Sequence, residues 1–214
     1  ASLGFQFDYA YQPIVDLRTQ TVFAHEALVR GPNGEGASQL GMQEPVSINF
    51  LPNAIYKPEM CIRTTLAAAK IHNFPLEKII FEVTEGKRVE DGPWFASILR
   101  QYKRCGFKTA IDDFGAGDAG MKLLADFRPD LIKIDMDLIR NVDSNWARQA
   151  IVHSLARLCE EMNIQVIAEG IETPAKRDAL HGMGIYLIQG YSFAKPASKA
   201  LATLSPQVFV INPH

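Results

Sequence analysis

The chain has 214 residues, 47% of them hydrophobic, with a formal net charge of −2 and three cysteines. That is enough apolar material for one large α/β core or two small ones. Acidic and basic residues are mixed along its length, so no polybasic stripe offers a surface to a nucleic-acid polymer or an anionic membrane, and no apolar run is long enough to span a bilayer. Cys61, Cys105 and Cys159 are far apart, odd in number and outside any CxxC spacing. They read as reduced thiols in a cytoplasmic chain without structural zinc. The opening "ASLGF" has no starting methionine, which suggests a single domain, residues 1–214, excised from a longer multidomain protein.

In chain order, strand-length apolar runs occur at "AYQPIVD", "VFAHEALVR", "VSINF", "IIFEVTE", "KTAIDDF", "LIKIDMD", "QVIAEGIE" and "IYLIQGYSF". Each is bounded by turn-forming residues or by a helical pattern. Helical patterns cover residues 54–72, 92–105 and 144–163; in the last, Trp146, Ile151, Leu155 and Leu158 recur at helical spacing as a candidate buried face. Alternating strands and helices imply parallel strands. The later strands are apolar almost throughout, as expected when both faces are covered, and a TIM-type (β/α)8 barrel satisfies this. A doubly wound open sheet is the rival, but "YQPIVDLRT" carries none of the glycine fingerprint that would open its first helix.

In such a barrel the C-terminal strand ends converge on one mouth. Those ends here carry Glu26, Asn49, Glu82, Asp112 with Asp113, Lys133 with Asp135, Glu169 and Gln189. So many carboxylates cannot be gathered unless cations neutralise them. Oxygen ligands without histidine favour Mg²⁺ or Mn²⁺ over zinc. Adjacent Asp112 and Asp113 would face opposite sides of a regular strand, but at the frayed mouth both can turn inward. His25 precedes Glu26, faces the other way and reads as a hydrogen-bonded structural histidine, while His72, His153 and His181 read as surface or capping residues. "DFGAGDAG" lacks the lysine of a P-loop.

Taken in order, "HEALVRG", "SINF", "FEVTEG", "AIDDFGAGDAG", "LIKID", "VIAEGIE" and "QGYSF" resemble the motif series of EAL domains, the phosphodiesterases that hydrolyse cyclic di-GMP. The resemblance covers essentially the whole chain. It implies a metal held by Glu26, Asn49, Glu82 and Asp112, with Asp112 bridging to a second metal held also by Asp113. Lys133 and Glu169 would flank the attacking water, and Glu169 is the preferred general base. It further implies substrate contacts from Gln12 and Arg30, Asp135 beside the metals, Glu85 bracing the loop after the fifth strand, and Glu172 and Gln189 near the base. A homodimer through the helices after strands five and six, and a fused sensory or regulatory domain, are expected. Against the active enzyme stands a silent EAL-like domain acting as a cyclic di-GMP receptor or interaction module.

Two departures from the family pattern stand out. Asp118 occupies a position after "DFGAG" where EAL domains usually carry an aromatic residue; it reads as a cap for the following helix rather than a change to the metal shell. Between the second and third strands the chain offers only "GPNGEGASQLGMQEP", too short and glycine-rich for a helical crossover. EAL domains carry at least one full helix at this point, so the resemblance implies that about 25 residues are absent, after Ala37, leaving a break between residues 34 and 41.

Overall fold

The computed structural model describes residues 8–30, 42–49, 58–84, 92–117, 120–198 and 200–211. β1 (Asp8–Asp16) and β2 (Thr21–Arg30) form an antiparallel hairpin. Only residues 17–20 join them: the Asp16 carboxylate accepts the Arg18 N–H at 2.9 Å, and Gln20 adopts a left-handed φ of 56°. A parallel pair needs a crossover of about a dozen residues, so the expectation of uniformly parallel strands fails at the first strand.

From β2 the sheet continues in parallel through β3 (Val46–Asn49), β4 (Ile79–Thr84), β5 (Lys108–Phe114), β6 (Leu131–Ile134), β7 (Gln165–Ala168) and β8 (Leu187–Ile188). β1 closes the ring between β8 and β2, antiparallel to both. Further along the edge that it shares with β8, β1 also pairs with the short β9 (Ala197–Ser198). The result is the expected closed eight-strand barrel with one strand reversed.

The later strands are shorter than their apolar runs. β6, β7 and β8 each make one further backbone bond past the strand, from Asp135 N to Phe114 O, Glu169 N to Ile134 O and Gln189 N to Ala168 O. The chain then turns away.

Helices α1 (Pro58–Ile71), α2 (Gly92–Arg104), α3 (Gly120–Phe127), α4 (Trp146–Glu161) and α5 (Pro174–Gly182) fill the crossovers after β3 to β7. α4 starts where the Asn145 side chain accepts the N–H groups of Ala147 and Arg148, both at 3.1 Å. α5 starts on a Thr173 cap with Pro174 in its first turn. α4 buries Val152, Leu155 and Cys159 in the core cluster that also holds Ile132 and Ile134. The expected face was displaced: Leu155 is in it and Leu158 borders it, but Trp146 and Ile151 are 80% and 53% exposed. Among the described residues, no helix is long and apolar enough to cross a membrane. Residues 31–41, where the break is expected, lie outside the described residues.

Inside the barrel, Ile14, Ala24, Ile80, Ala110, Leu131, Ile167 and Leu187 pack as one aliphatic layer drawn from seven strands. Their outward-facing neighbours, such as Ile111, Ile132 and Ile188, pack in the larger core beneath the helices. A side chain two positions along a strand returns to the same face. Two residues toward the mouth from these seven stand Gln12, Glu26, Glu82, Asp112, Lys133, Glu169 and Gln189. The aliphatic layer is therefore the floor of a polar ring.

Gly190 lets the last strand make its turn at that ring. A Cβ there would stand 2.2 Å from the carbonyl oxygen of Ile171 and 2.3 Å from its nitrogen, and backbone cannot move aside cheaply. Gly190→Ala is expected to cost about 1–3 kcal/mol or more, read as a lowered denaturation midpoint. A stability equal to that of the unsubstituted protein would show that the close approach to Ile171 relaxes freely.

Candidate metal centre and catalytic site

The polar ring is organised around one ammonium. Lys133 is 1% exposed, and its Nζ lies 3.3 Å from Glu26, 3.2 Å from Glu82, 3.3 Å from Asp112 and 2.7 Å from Glu169. Burial works against the lysine charge, but Glu82, Glu169, Glu26 and Asp112 together outweigh it and hold its pKa well above the ordinary value. One positive charge cannot satisfy four carboxylates. Burial therefore pushes Glu82 up to about 8 despite Lys133, with Glu26 and Asp112 adding repulsion. Glu169 is likewise pushed up to about 7 by burial, with Lys133 opposing and Asp112 reinforcing the shift.

The carboxylates are also oriented by neutral donors. Glu26 accepts Asn49 Nδ2 at 3.1 Å on one oxygen and Gln189 Nε2 at 2.7 Å on the other. Glu82, fully buried, accepts the Ser47 hydroxyl at 2.5 Å and the Lys133 ammonium at 3.2 Å.

The paired aspartates behave as the frayed strand end predicts. The β5–β6 register shifts between Ile111 and Phe114, and Asp113 takes a left-handed φ of 53°. A non-glycine residue in that region is uncommon and is often found at functional sites. The bulge brings Asp113 into the same cluster as Asp112: oxygens of Asp112, Asp113 and Glu169 all lie within 4.8 Å of one another. Burial, followed by repulsion from Asp112 and Asp135, raises the Asp113 pKa. Gly115, at φ 95°, follows in the same turn, and a Cβ there would meet Leu138 at 2.8 Å.

Among the described residues, the buried oxygens Asp112 Oδ1 and Gln189 Oε1 receive no hydrogen bond, although Asp112 Oδ1 lies within ion-pair distance of Lys133. Unpaired buried acceptors among excess carboxylates are what a divalent cation would satisfy. Glu26, Asn49, Glu82, Asp112, Asp113 and Glu169 therefore fit the donor set of a hard metal.

The remaining expectations fall around this cluster. Gln12 faces the same cavity, of about 300 Å³, with its Nε2 on the Ala194 carbonyl at 3.3 Å. Asp135 and Glu172 also line it; the Asp135 carboxylate accepts the Asp137 N–H at 2.8 Å, and Glu172 is exposed at the rim. Arg30 ends β2 opposite Asp8, and its side chain is not among those described. Glu85 and Asp118 lie outside the described residues.

His25 faces outward and is 3% exposed, but its Nδ1 has no hydrogen-bond partner and its Nε2 is 3.9 Å from Glu44. Burial lowers its pKa, so it is a neutral core histidine rather than the hydrogen-bonded one expected. His72 and His153 are exposed as expected, whereas the His181 ring packs edge-on against Tyr186. Sequence reasoning missed Ser47, although it lies in the quoted "SINF". Its signal was a polar residue two positions before Asn49, where other strands place an aliphatic one.

A cation in this cluster would favour the charged forms of Glu82, as a ligand, and of Glu169, as its neighbour. Both hold protons at a pH where a free carboxyl is ionised, so cation binding would expel them. Mn²⁺ affinity is expected to rise with pH between about 6 and 9, with net proton release near pH 7. Calorimetry in buffers of different ionisation enthalpy measures this; binding without proton release would show that both groups are already ionised.

The family model for the EAL domain matches residues 35–196. This chain belongs to the EAL domain family. A standalone versatile EAL protein from Vibrio cholerae O395, solved in a c-di-GMP bound form, is 45% identical and superposes with a TM-score of 0.91 over 97% of this chain and 99% of its own. Klebsiella pneumoniae BlrP1, in a manganese and cy-diGMP complex, is 31% identical with a TM-score of 0.85 over 92% of this chain and 57% of its own.

Among curated relatives, the blue light- and temperature-regulated antirepressor BluF of Escherichia coli (strain K12) is 32% identical over 92% of this chain and 56% of its own length. The cyclic di-GMP phosphodiesterase PdeB of Shewanella oneidensis is 32% identical over 74% of this chain and 18% of its own. This EAL domain thus spans about half the length of BluF and about a fifth of PdeB. The BluF match runs over 226 residues, more than the 214 of this chain, so BluF carries residues inside the matched span that this chain lacks.

Proposed function

We propose that this EAL domain is a metal-dependent phosphodiesterase that hydrolyses cyclic di-GMP to linear pGpG. The observation that carries the reading is the polar ring, in which carboxylates from four strands converge on a single lysine and leave an excess of negative charge. Two divalent cations, Mg²⁺ or Mn²⁺, would be held by Glu26, Asn49, Glu82, Asp112 and Asp113, and when bound would acidify water and screen the phosphate charge.

Glu169 takes the proton of the attacking water as general base, and the adjacent Lys133 ammonium flanks that water and orients Glu169. Water adds to phosphorus as the bond to the 3′ oxygen breaks, the leaving 3′ oxygen takes a proton from solvent, and Glu169 returns its proton to solvent. Gln12, Arg30 and Gln189 contact the substrate, Arg30 through its planar fork. Asp135 would stand beside the metals, Glu85 would brace the loop after β5, and Glu172 would lie near the base.

The deciding experiment incubates purified protein with cyclic di-GMP and either Mn²⁺, Mg²⁺ or EDTA and resolves the products chromatographically. Metal-dependent pGpG supports the reading, and hydrolysis undiminished in EDTA sinks it. A second reading, a silent cyclic di-GMP receptor, has one observation in its favour: BluF, which matches 92% of this chain, is named an antirepressor. Binding of cyclic di-GMP without turnover at any metal concentration would select it.

A homodimer is part of the proposal. Met121 on α3 and Trp146 and Ile151 on α4 are large apolar side chains left exposed on the helices after β5 and β6. Sedimentation equilibrium tests it, with a monomer at high concentration as the refuting result. A cytoplasmic location and a fused regulatory domain complete the proposal.

A further inference from the structure

We infer that Ser47 is a positioning residue for the metal centre: its hydroxyl holds one Glu82 oxygen so that only the other faces the cation. The inference rests on the metal-dependent reading above. In cross-strand register Ser47 stands beside Ile80 of β4 and Glu26 of β2, level with the aliphatic floor to which seven other strands contribute. It is 1% exposed. A hydroxyl buried in such a layer is costly unless it is bonded. Its bond runs upward, the hydroxyl donating to Glu82 Oε1 at 2.5 Å, at the short end of the range for such bonds.

Glu82 Oε2 lies against the Lys133 ammonium, which also touches Glu26, Asp112 and Glu169. The two oxygens of one fully buried carboxylate are thus assigned to different partners: Oε1 to the floor and Oε2 to the cluster. Donors on two different strands fix the plane of the carboxylate. Without Ser47 the group can rotate or present both oxygens, and each of these spoils a geometry that a small hard cation demands.

The test compares Ser47→Ala and Ser47→Cys with the unsubstituted protein. Cysteine keeps the volume but donates poorly. Mn²⁺ affinity is read from free Mn²⁺ by electron paramagnetic resonance, and stability from thermal unfolding in EDTA. Both variants are expected to bind Mn²⁺ about 10–100-fold more weakly, and Ser47→Cys to unfold in EDTA near the unsubstituted temperature. Affinity within twofold in a folded variant overturns the inference, leaving Ser47 a structural residue whatever its melting temperature. If Ser47→Ala does not fold, Ser47→Cys decides alone. An unsubstituted protein that binds no Mn²⁺ overturns the metal reading itself, an outcome distinct from equal binding by all three proteins.

Discussion

Lys133→Met is expected to lower the stability of the protein in EDTA by about 3–5 kcal/mol, the usual cost of removing one partner from a buried ion pair. The reason is the geometry of the ring. Four carboxylate oxygens lie within 3.3 Å of a single Nζ, and the side chains that carry them are 1% to 19% exposed, so water cannot replace the ammonium. Methionine matches the length of the stem and leaves those carboxylates facing one another. Two of them already hold protons more tightly than usual, and without Lys133 they would hold them tighter still. Added Mn²⁺ should restore part of the loss, so the rise in unfolding temperature on adding metal should be larger in the variant than in the unsubstituted protein. Chemical denaturation with and without metal measures both quantities. A variant as stable as its parent in EDTA would mean that protonation alone neutralises the ring.

Glu169→Gln is expected to slow pGpG formation by about 10²–10⁴-fold, the usual contribution of a positioned base. Glutamine keeps the shape and cannot accept the proton. Its position next to Asp112 and Asp113 makes a second measurement necessary, because an oxygen of Glu169 lies within ligand reach of theirs. If Glu169 acts as base, Mn²⁺ affinity should change by less than about threefold while the rate collapses; a ligand would lose affinity in parallel, by about 10-fold or more. A parallel loss would move Glu169 into the metal shell. An unchanged rate would remove it from the mechanism.

Much of this site is legible along the chain because strand geometry is local. Glu26, Glu82, Asp112, Lys133, Glu169 and Gln189 stand where apolar strand-length runs give way to polar residues, and locating those ends needs only the run itself. Asp112 and Asp113 were legible as a pair at a strand end, but the bulge and left-handed backbone that place Asp113 beside Asp112 appear only in the structure. Ser47 was passed over because a serine in a strand has no chemistry of its own; its significance depends on Glu82, 35 residues further on. The misplaced face of α4 has a similar origin. Trp146 and Ile151 share the helical period with the buried residues, and periodicity cannot tell which stripe the barrel will cover.

The sequence alone determined the class of fold, the strand ends that bear carboxylates and the family resemblance. These depend on propensity, period and motif order, which neighbouring residues set among themselves. Only the tertiary structure decided that β1 runs against its neighbours, that seven strands share one aliphatic floor, and that a single lysine sits among four carboxylates. Those facts come from ring closure and cross-strand register, which bring together residues as far apart as Gln12 and Gln189. The energy that selects them, burial of the aliphatic floor and mutual neutralisation above it, exists only once the barrel has closed.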